Sequence, residues 1–343
     1  MKRRDFLQAL GLGAAIPALG IAAQAAPHKL RVLALAPKTL SGQFLRGLTQ
    51  NQNLEITFVD AGTTTTSAAR AAAQTLEGKH FDVLVALGDG YGDVLRPILE
   101  QHALPAICNE FGAKIAQRPE ISAFILTNSL KLWQSEWALG VHAAGQRKAN
   151  IGRGNTAVIV CTLREAGYDL PFAFRSGFES AGGTILETIV TGVGAKPDWN
   201  AVLEQIKLLK PAQLHVIAAD ASNLEMLRAA RIPISASALT NLNATTAASS
   251  FGTDAMLLLG QESAAILEQA SQANALDFLK ALRNAKIQSA RGTLEFSRNQ
   301  NQNGIQLEKN GTRRTLDNIS EMHPRLNALR NETRSGYTNT YMA

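Results

Sequence analysis

Short apolar runs alternate with amphipathic stretches along this chain, and the same order of elements occurs twice. No other feature constrains the fold as strongly. Such alternation is the signature of βαβ units, in which helices cover a parallel sheet. In the first half it predicts strands at Leu30–Ala36, Leu54–Val59, Asp82–Leu87 and Ala106–Cys108. Helices predicted at Ser41–Thr49, Thr65–Glu77 and Gly92–Gln101 separate them. The second half repeats the plan, with strands at Thr156–Cys161, Thr184–Ile189, Leu214–Ala218 and Ile234–Ala236. Its helices fall at Phe172–Ala181, Trp199–Leu209 and Asn223–Ala230. FDVLVALGD and LHVIAADAS each follow an amphipathic helix and carry a mostly apolar run closed by an acid, Asp89 and Asp220. Continuous runs suit strands buried on both faces. The repeat is architectural, and it favours an α/β fold of two doubly wound, Rossmann-like lobes joined by a hinge over one large sheet.

The boundary falls near Thr127–Leu132, where Asn128-Ser129 ends an apolar run and a helix begins that extends to Gly145. After Ala236 a Ser/Thr/Asn/Ala stretch reaches Ser250, and an apolar helix (MLLLGQESAAILEQA) starts near Thr253. Gly292–Phe296 reads as a strand, Asn299–Asn303 as a polar loop and Gly304–Lys309 as a strand paired to the first. The division expected is 28–128 plus 251–291 for the first lobe and 129–250 plus 292–320 for the second. Residues 321–343 form a polar tail.

Met1 to Ala25 is set apart. Lys2, Arg3 and Arg4 precede an apolar run that ends in Ala23-Gln24-Ala25, the A-x-A pattern of a signal-peptidase site. Arg3-Arg4 followed by Asp5, Phe6 and Leu7 matches the core of a twin-arginine export signal. The apolar run is shorter than the ~20 residues a membrane span needs, and Gly11, Gly13, Pro17 and Gly20 interrupt it. Cleavage after Ala25 lowers the formal charge from +6 to +4. With no Lys/Arg block elsewhere, nucleic-acid binding has no electrostatic footprint. Two cysteines, Cys108 and Cys161, each end an apolar run in a different lobe and are expected as buried free thiols.

Four segments carry a family resemblance. KLRVLALAPKTLSGQFLRG, AVIVCTLREAGYDLPFAFRSGFESAGGTI, KPDWNAVLEQIKLLKPAQLHVIAADASNLEMLRAA and RGTLEFSRNQNQNG occur in an order and spacing that cover most of residues 29–311. Together they resemble the type I periplasmic solute-binding proteins, in particular the leucine/isoleucine/valine-binding proteins of branched-chain amino-acid ABC importers. The resemblance implies two lobes that close on a small amino-acid-like or related polar or aromatic solute. It also implies delivery to an ABC permease in the inner membrane, without covalent chemistry, cofactor or metal. A periplasmic sensor for a receptor or histidine kinase, and an exported enzyme on the same fold, are the alternatives. The protein is expected to act in the periplasm as a monomer.

Ligands of open α/β sheets bind outside the carboxyl ends of the strands. In the first lobe this rule selects Lys38, Ser41, Asp89, Tyr91, Asn109, Glu110 and Phe111. In the second it selects Tyr168, Asp220, Ser222, Ser235 and Ser237. Tyr168 matches the family's cleft tyrosine by its place in the motif. Asp89 and Asp220 each end a buried strand and suit either a ligand ammonium or the cap of the next helix. Tyr91 and Phe111 suit a ring or an apolar pocket, or packing at the lobe rim. The family's Ser/Thr carboxylate-binding site is replaced here by Gly88-Asp89-Gly90-Tyr91-Gly92-Asp93, and its hairpin Asp by Ser297. A carboxylate at that position repels another, which argues against a standard aliphatic amino acid as ligand.

Other chemistries find little support. GDGYGD fails as a dinucleotide fingerprint because Asp93 stands where the third glycine belongs. The six histidines are scattered without metal-ligand spacing. No G-x-S-x-G elbow is present. Trp133 and Trp137, four apart on a helix, are expected to pack in the core or between lobes, and Trp199 to be structural.

Overall fold

The structure, a computed structural model, describes residues 29–115, 122–145, 154–162, 169–191, 198–217, 226–237, 246–247, 255–273, 277–302, 304–309 and 312–316. The expected signal segment and the polar tail lie outside the described residues, as do Tyr168, Asp220 and Ser222.

Two sheets form. The first contains β1 (Leu30–Ala36), β2 (Leu54–Asp60), β3 (Val83–Leu87), β4 (Ala106–Glu110), β5 (Ile125–Ser129), β11 (Lys286–Ser289), β12 (Gly292–Ser297) and β13 (Gln300–Asn301). Its order is β2-β1-β3-β4-β5-β13-β12-β11. The second contains β6 (Thr156–Thr162), β7 (Thr184–Thr191), β8 (Gln213–Ile217), β9 (Ile234–Ala236), β10 (Thr246–Ala247), β14 (Ile305–Lys309) and β15 (Thr312–Leu316). Its order is β7-β6-β8-β9-β10-β14-β15. The first five strands of each sheet are parallel and take the same relative places, so the repeat extends to topology. In β3 every side chain is fully buried, the valines and leucines each contributing roughly 2 kcal/mol, which fits its central position.

The crossing back to the second sheet comes later than expected. β12 and β13 stay with the first sheet: Phe296 and Ser297 pair with Asn301 and Gln300, and β13 lies parallel to β5. Gly304–Lys309, expected to pair with Gly292–Phe296, instead pairs with β15 in the other sheet. The cause is backbone pairing, to which the polar side chains of Asn299–Asn303 give no clue. The amide of Thr127 donates to the carbonyl of Asn299 at 2.7 Å.

Helices cover both faces. On the first sheet, α1 (Lys38–Leu48) and α7 (Ala255–Ser271) lie on one side, and α2 (Thr65–Gly78) and α3 (Tyr91–Gln101) on the other. On the second sheet, α4 (Leu132–Gly145) and α5 (Leu170–Ser180) face α6 (Trp199–Leu209) across the strands. A short α8 (Phe278–Arg283) precedes β11. Of the helix expected at Asn223–Ala230, Met226–Arg228 is described and helical. Each α4 residue from Leu132 to Gly140 is buried, as is fitting for the helix that carries the chain from one lobe to the other. Trp133 and Trp137 lie in the core, and Trp199 packs against the outer core of the second sheet.

Two glycine pairs set the closest helix contacts. A side-chain carbon on Gly47 or Gly260 would collide with backbone of α7 or α1, and one on Gly140 or Gly177 with backbone of α5 or α4. Small residues let the helix backbones touch, so each lobe has one clasped helix pair.

Candidate functional site

The order of the first sheet reverses between β1 and β3, with β2 on one side and β4 on the other. A crevice opens outside the carboxyl ends at such a switch point. Lys38 begins α1 there; its side chain is exposed, and its amide donates to Asp60 Oδ1 at 3.0 Å. Asp60, at the end of β2, also receives the Gly62 amide at 2.9 Å and was not singled out from the sequence. Ser41 is buried, and its hydroxyl donates to the Lys38 carbonyl at 2.9 Å. It serves the first turn of α1.

The β3 loop explains its glycines. A side-chain carbon on Gly88 would lie 2.6–2.8 Å from the Tyr91 ring, so only glycine lets that ring cover the backbone. Gly90, at φ 77°, then turns the chain into α3. Tyr91 is buried in the outer core with Ala61 and Leu95, which places it beneath the rim of the crevice. Burial, and then the charge of Asp60, raise its hydroxyl above the ordinary tyrosine range.

Asp89 is occupied by the neighbouring loop. Its Oδ1 accepts the amides of Phe111 (2.6 Å) and Gly112 (3.1 Å), and its Oδ2 that of Ala113 (3.0 Å). It does not cap α3, whose N-cap is Gly90. Burial nevertheless raises its carboxyl above the usual value, against the three amides and Lys114. Glu110, half-buried beside it, is pushed up to about 8. Burial is the main cause, the charge of Asp89 adds to it, the Gly90 amide opposes it, and Asp93 adds a little more. Asp89 is thus committed to the loop, and the Glu110 carboxyl beside it is held toward its neutral form. Burial, and then the charges of Glu110 and Asp93, push the Cys108 thiol up, which leaves it an inert core group. Both cysteines are buried thiols outside any disulfide.

Asn109 faces the interior. Its amide donates to the Ala86 carbonyl (3.1 Å) and Ser263 Oγ (2.9 Å), and its oxygen receives Asn128 Nδ2 (3.1 Å). Phe111 is half-buried against the main core. In the second lobe Ser235 and Ser237 are both buried, with the Ser235 hydroxyl 3.0 Å from His215 Nδ1. The loops after β6, β8 and β9 lie outside the described residues. Among the described residues, the ends of β1, β3 and β4 thus bring Lys38, Asp89, Tyr91, Glu110 and Phe111 to the carboxyl edge of the first sheet, with Asp60 at the end of β2.

The hinge borders this crevice. Ser129 ends β5; its carbonyl accepts Arg291 Nη1 (2.7 Å) and Asn301 Nδ2 (2.9 Å), and its amide donates to Asn301 Oδ1 (2.9 Å). Lys131 then takes a left-handed φ of 55° before α4 begins. A separate cavity of about 350 Å³, lined by residues that include Leu76, Lys79, His80 and His102, opens at the amino ends of β3 and β4, away from the crevice. Among the described residues there is no cluster able to hold a metal ion, and no helix is long and apolar enough to cross a membrane.

No family model and no curated protein matches the chain. Solved structures do. The chain is similar to an ABC transporter substrate-binding protein from Sphaerobacter thermophilus, at 17% identity and a TM-score of 0.64, over 83% of this chain and 96% of that one. A solute-binding protein of an ABC transporter from Rhodopseudomonas palustris, in complex with 3,4-dihydroxybenzoic acid, matches at 16% identity and a TM-score of 0.59, over 82% and 92%. The leucine-binding protein LivK from Thermotoga maritima matches at 15% and 0.55, over 83% and 97%. At such identities the likeness is one of fold, and the fold is that of the type I periplasmic binding proteins.

Proposed function

We propose that this chain is the solute-binding component of an ABC importer, which closes its lobes on a small molecule and hands it to an inner-membrane permease. The observation that carries the reading is the switch point of the first sheet, between β1 and β3, with the loop after β4 linking its carboxyl edge to the start of α4. Solute-binding structures of the same fold support it. Export by the twin-arginine route, with Met1–Ala25 removed in the periplasm, belongs to the same proposal and rests on Arg3-Arg4 and the A-x-A site. So do the division into two lobes and the contribution of Tyr168, Asp220 and Ser222 to the second wall.

The ligand is a small amino-acid-like, polar or aromatic solute that turns amine or hydroxyl donors toward Glu110. A ligand carboxylate belongs on the second lobe, because in the first the loop amides of Phe111, Gly112 and Ala113 are already taken by Asp89. Related structures hold leucine and hydroxybenzoates, which span this range. A thermal-shift screen over amino acids, amides and hydroxylated aromatic acids tests it. A true ligand at a hundred times its Kd stabilises by about 2.7 kcal/mol, a rise of several degrees. Melting that no class moves would remove the support for a binding role.

A further inference from the structure

The loop Phe111–Ile115 has two hydrogen-bonding sides, and they point to different parts of the molecule. Its amides at Phe111, Gly112 and Ala113 all go to the Asp89 carboxylate, at 2.6, 3.1 and 3.0 Å. Its carbonyls go to the second lobe's helices. Phe111 accepts the Leu132 amide (3.2 Å), Gly112 that of Trp133 (2.9 Å) and Ala113 that of Asp169 (3.2 Å). The Ile115 amide returns a bond to Asp169 Oδ2 at 2.7 Å. Leu132 and Trp133 open α4, and Asp169 immediately precedes α5. These helices are the pair clasped through Gly140 and Gly177.

Gly112 fits the role. Its φ of 66° turns the loop, and a side-chain carbon there would press on Ser129 Oγ and the Lys131 backbone. The loop is therefore wedged against the hinge crossing as well. A carboxylate on the donor side of peptide groups polarises them and strengthens what their carbonyls accept.

We infer that Asp89 is a positioning residue that sets the angle between the lobes, by holding Phe111–Ile115 as a strut between the switch-point crevice and the α4/α5 pair. This deepens the solute-binding reading by giving the crevice a direct path to the hinge. Its test needs no ligand, so the two readings stand or fall separately.

The test places spin labels on cysteines introduced at Lys79 and Leu208, exposed positions in the first and second lobes, with Cys108 and Cys161 buried. Interlobe distances are then measured in the ligand-free protein. Asp89→Ala is expected to broaden and shift the distance distribution. Asp89→Asn falls between it and the native protein, because the amide oxygen still accepts two loop amides while its NH₂ opposes Ala113. In both variants hydrogen exchange at Leu132, Trp133 and Ile115 rises, by about tenfold or more in Asp89→Ala. A control at exposed Glu55 (Glu55→Gln) leaves both measurements as in the native protein. Faster exchange confined to Phe111–Ala113, with an unchanged distance distribution, would overturn the inference. Should Asp89→Ala fail to fold, the same two outcomes in Asp89→Asn decide it.

Discussion

The crossing helices α7 and α4 each bury a glutamate against their sheet, yet the two carboxylates are held differently. Glu262 on α7 receives Arg291 at both oxygens (2.9 and 2.6 Å), together with Asn128 at 2.8 Å and the Ser289 hydroxyl. Glu136 on α4 has one partner, His215 Nε2 at 2.8 Å, and its Oε1 has no hydrogen-bond partner among the described residues. His215 in turn meets Ser235 and stacks on Phe174 at 3.6 Å. An arginine keeps its charge and fills a carboxylate bidentately, whereas a histidine offers one bond and can lose its proton. The arginine also reaches outward, to Asn128 and the Ser129 carbonyl at the hinge. The first lobe thus anchors the hinge through a saturated ion pair. The second uses its pair to join one helix to its own sheet.

That contrast breaks first at Arg291. Arg291→Ala strands a buried carboxylate and is expected to cost about 3–5 kcal/mol in urea unfolding. Glu136→Gln keeps a hydrogen bond to His215, so its cost stays near 1 kcal/mol. Equal losses would erase the distinction between the two networks.

The clasps, by contrast, are expected to respond alike. Gly47→Ala and Gly140→Ala each force backbone apart, at about 1–3 kcal/mol, read as a lower Tm. A neutral result at either site would show that one lobe lacks a tight clasp.

The last contrast is one of pH. Glu110 has an ordinary value of 4.5 and is pushed up to about 8 in the folded chain, so the native state holds a proton that the unfolded state has released. Its contribution is present below about 4.5 and is lost as pH rises toward about 8. Glu110→Gln is expected to flatten the fall of Tm across that window. An unaltered slope would place the titration elsewhere.

The parallel cores were legible because strands buried on both faces read as unbroken apolar runs; Val83–Leu87 is the clearest. β13 was not, since Gln300 and Asn301 carry no strand pattern and join the sheet by backbone pairing with β5. The polar end of β5 looked like a break for a related reason. Asn128 turns into a buried network whose partners, Glu262 and Arg291, lie 134 and 163 residues away. Of the site, the acid after β3 was visible as an acid at a strand end. Its use by amides 22 to 24 residues later is a tertiary fact that local spacing does not carry. Polar residues inside the apolar helices α4 and α7 were the available signal for Glu136 and Glu262.

On the proposed function, the protein holds a small solute and releases it intact. The direct measurement is mass spectrometry of what the protein releases on denaturation after purification from the periplasm of cells that make it. The expected result is one unaltered small molecule per chain, with amine or hydroxyl donors to meet Glu110. Release of nothing from any growth condition, or of a cleaved or otherwise converted product, would contradict it.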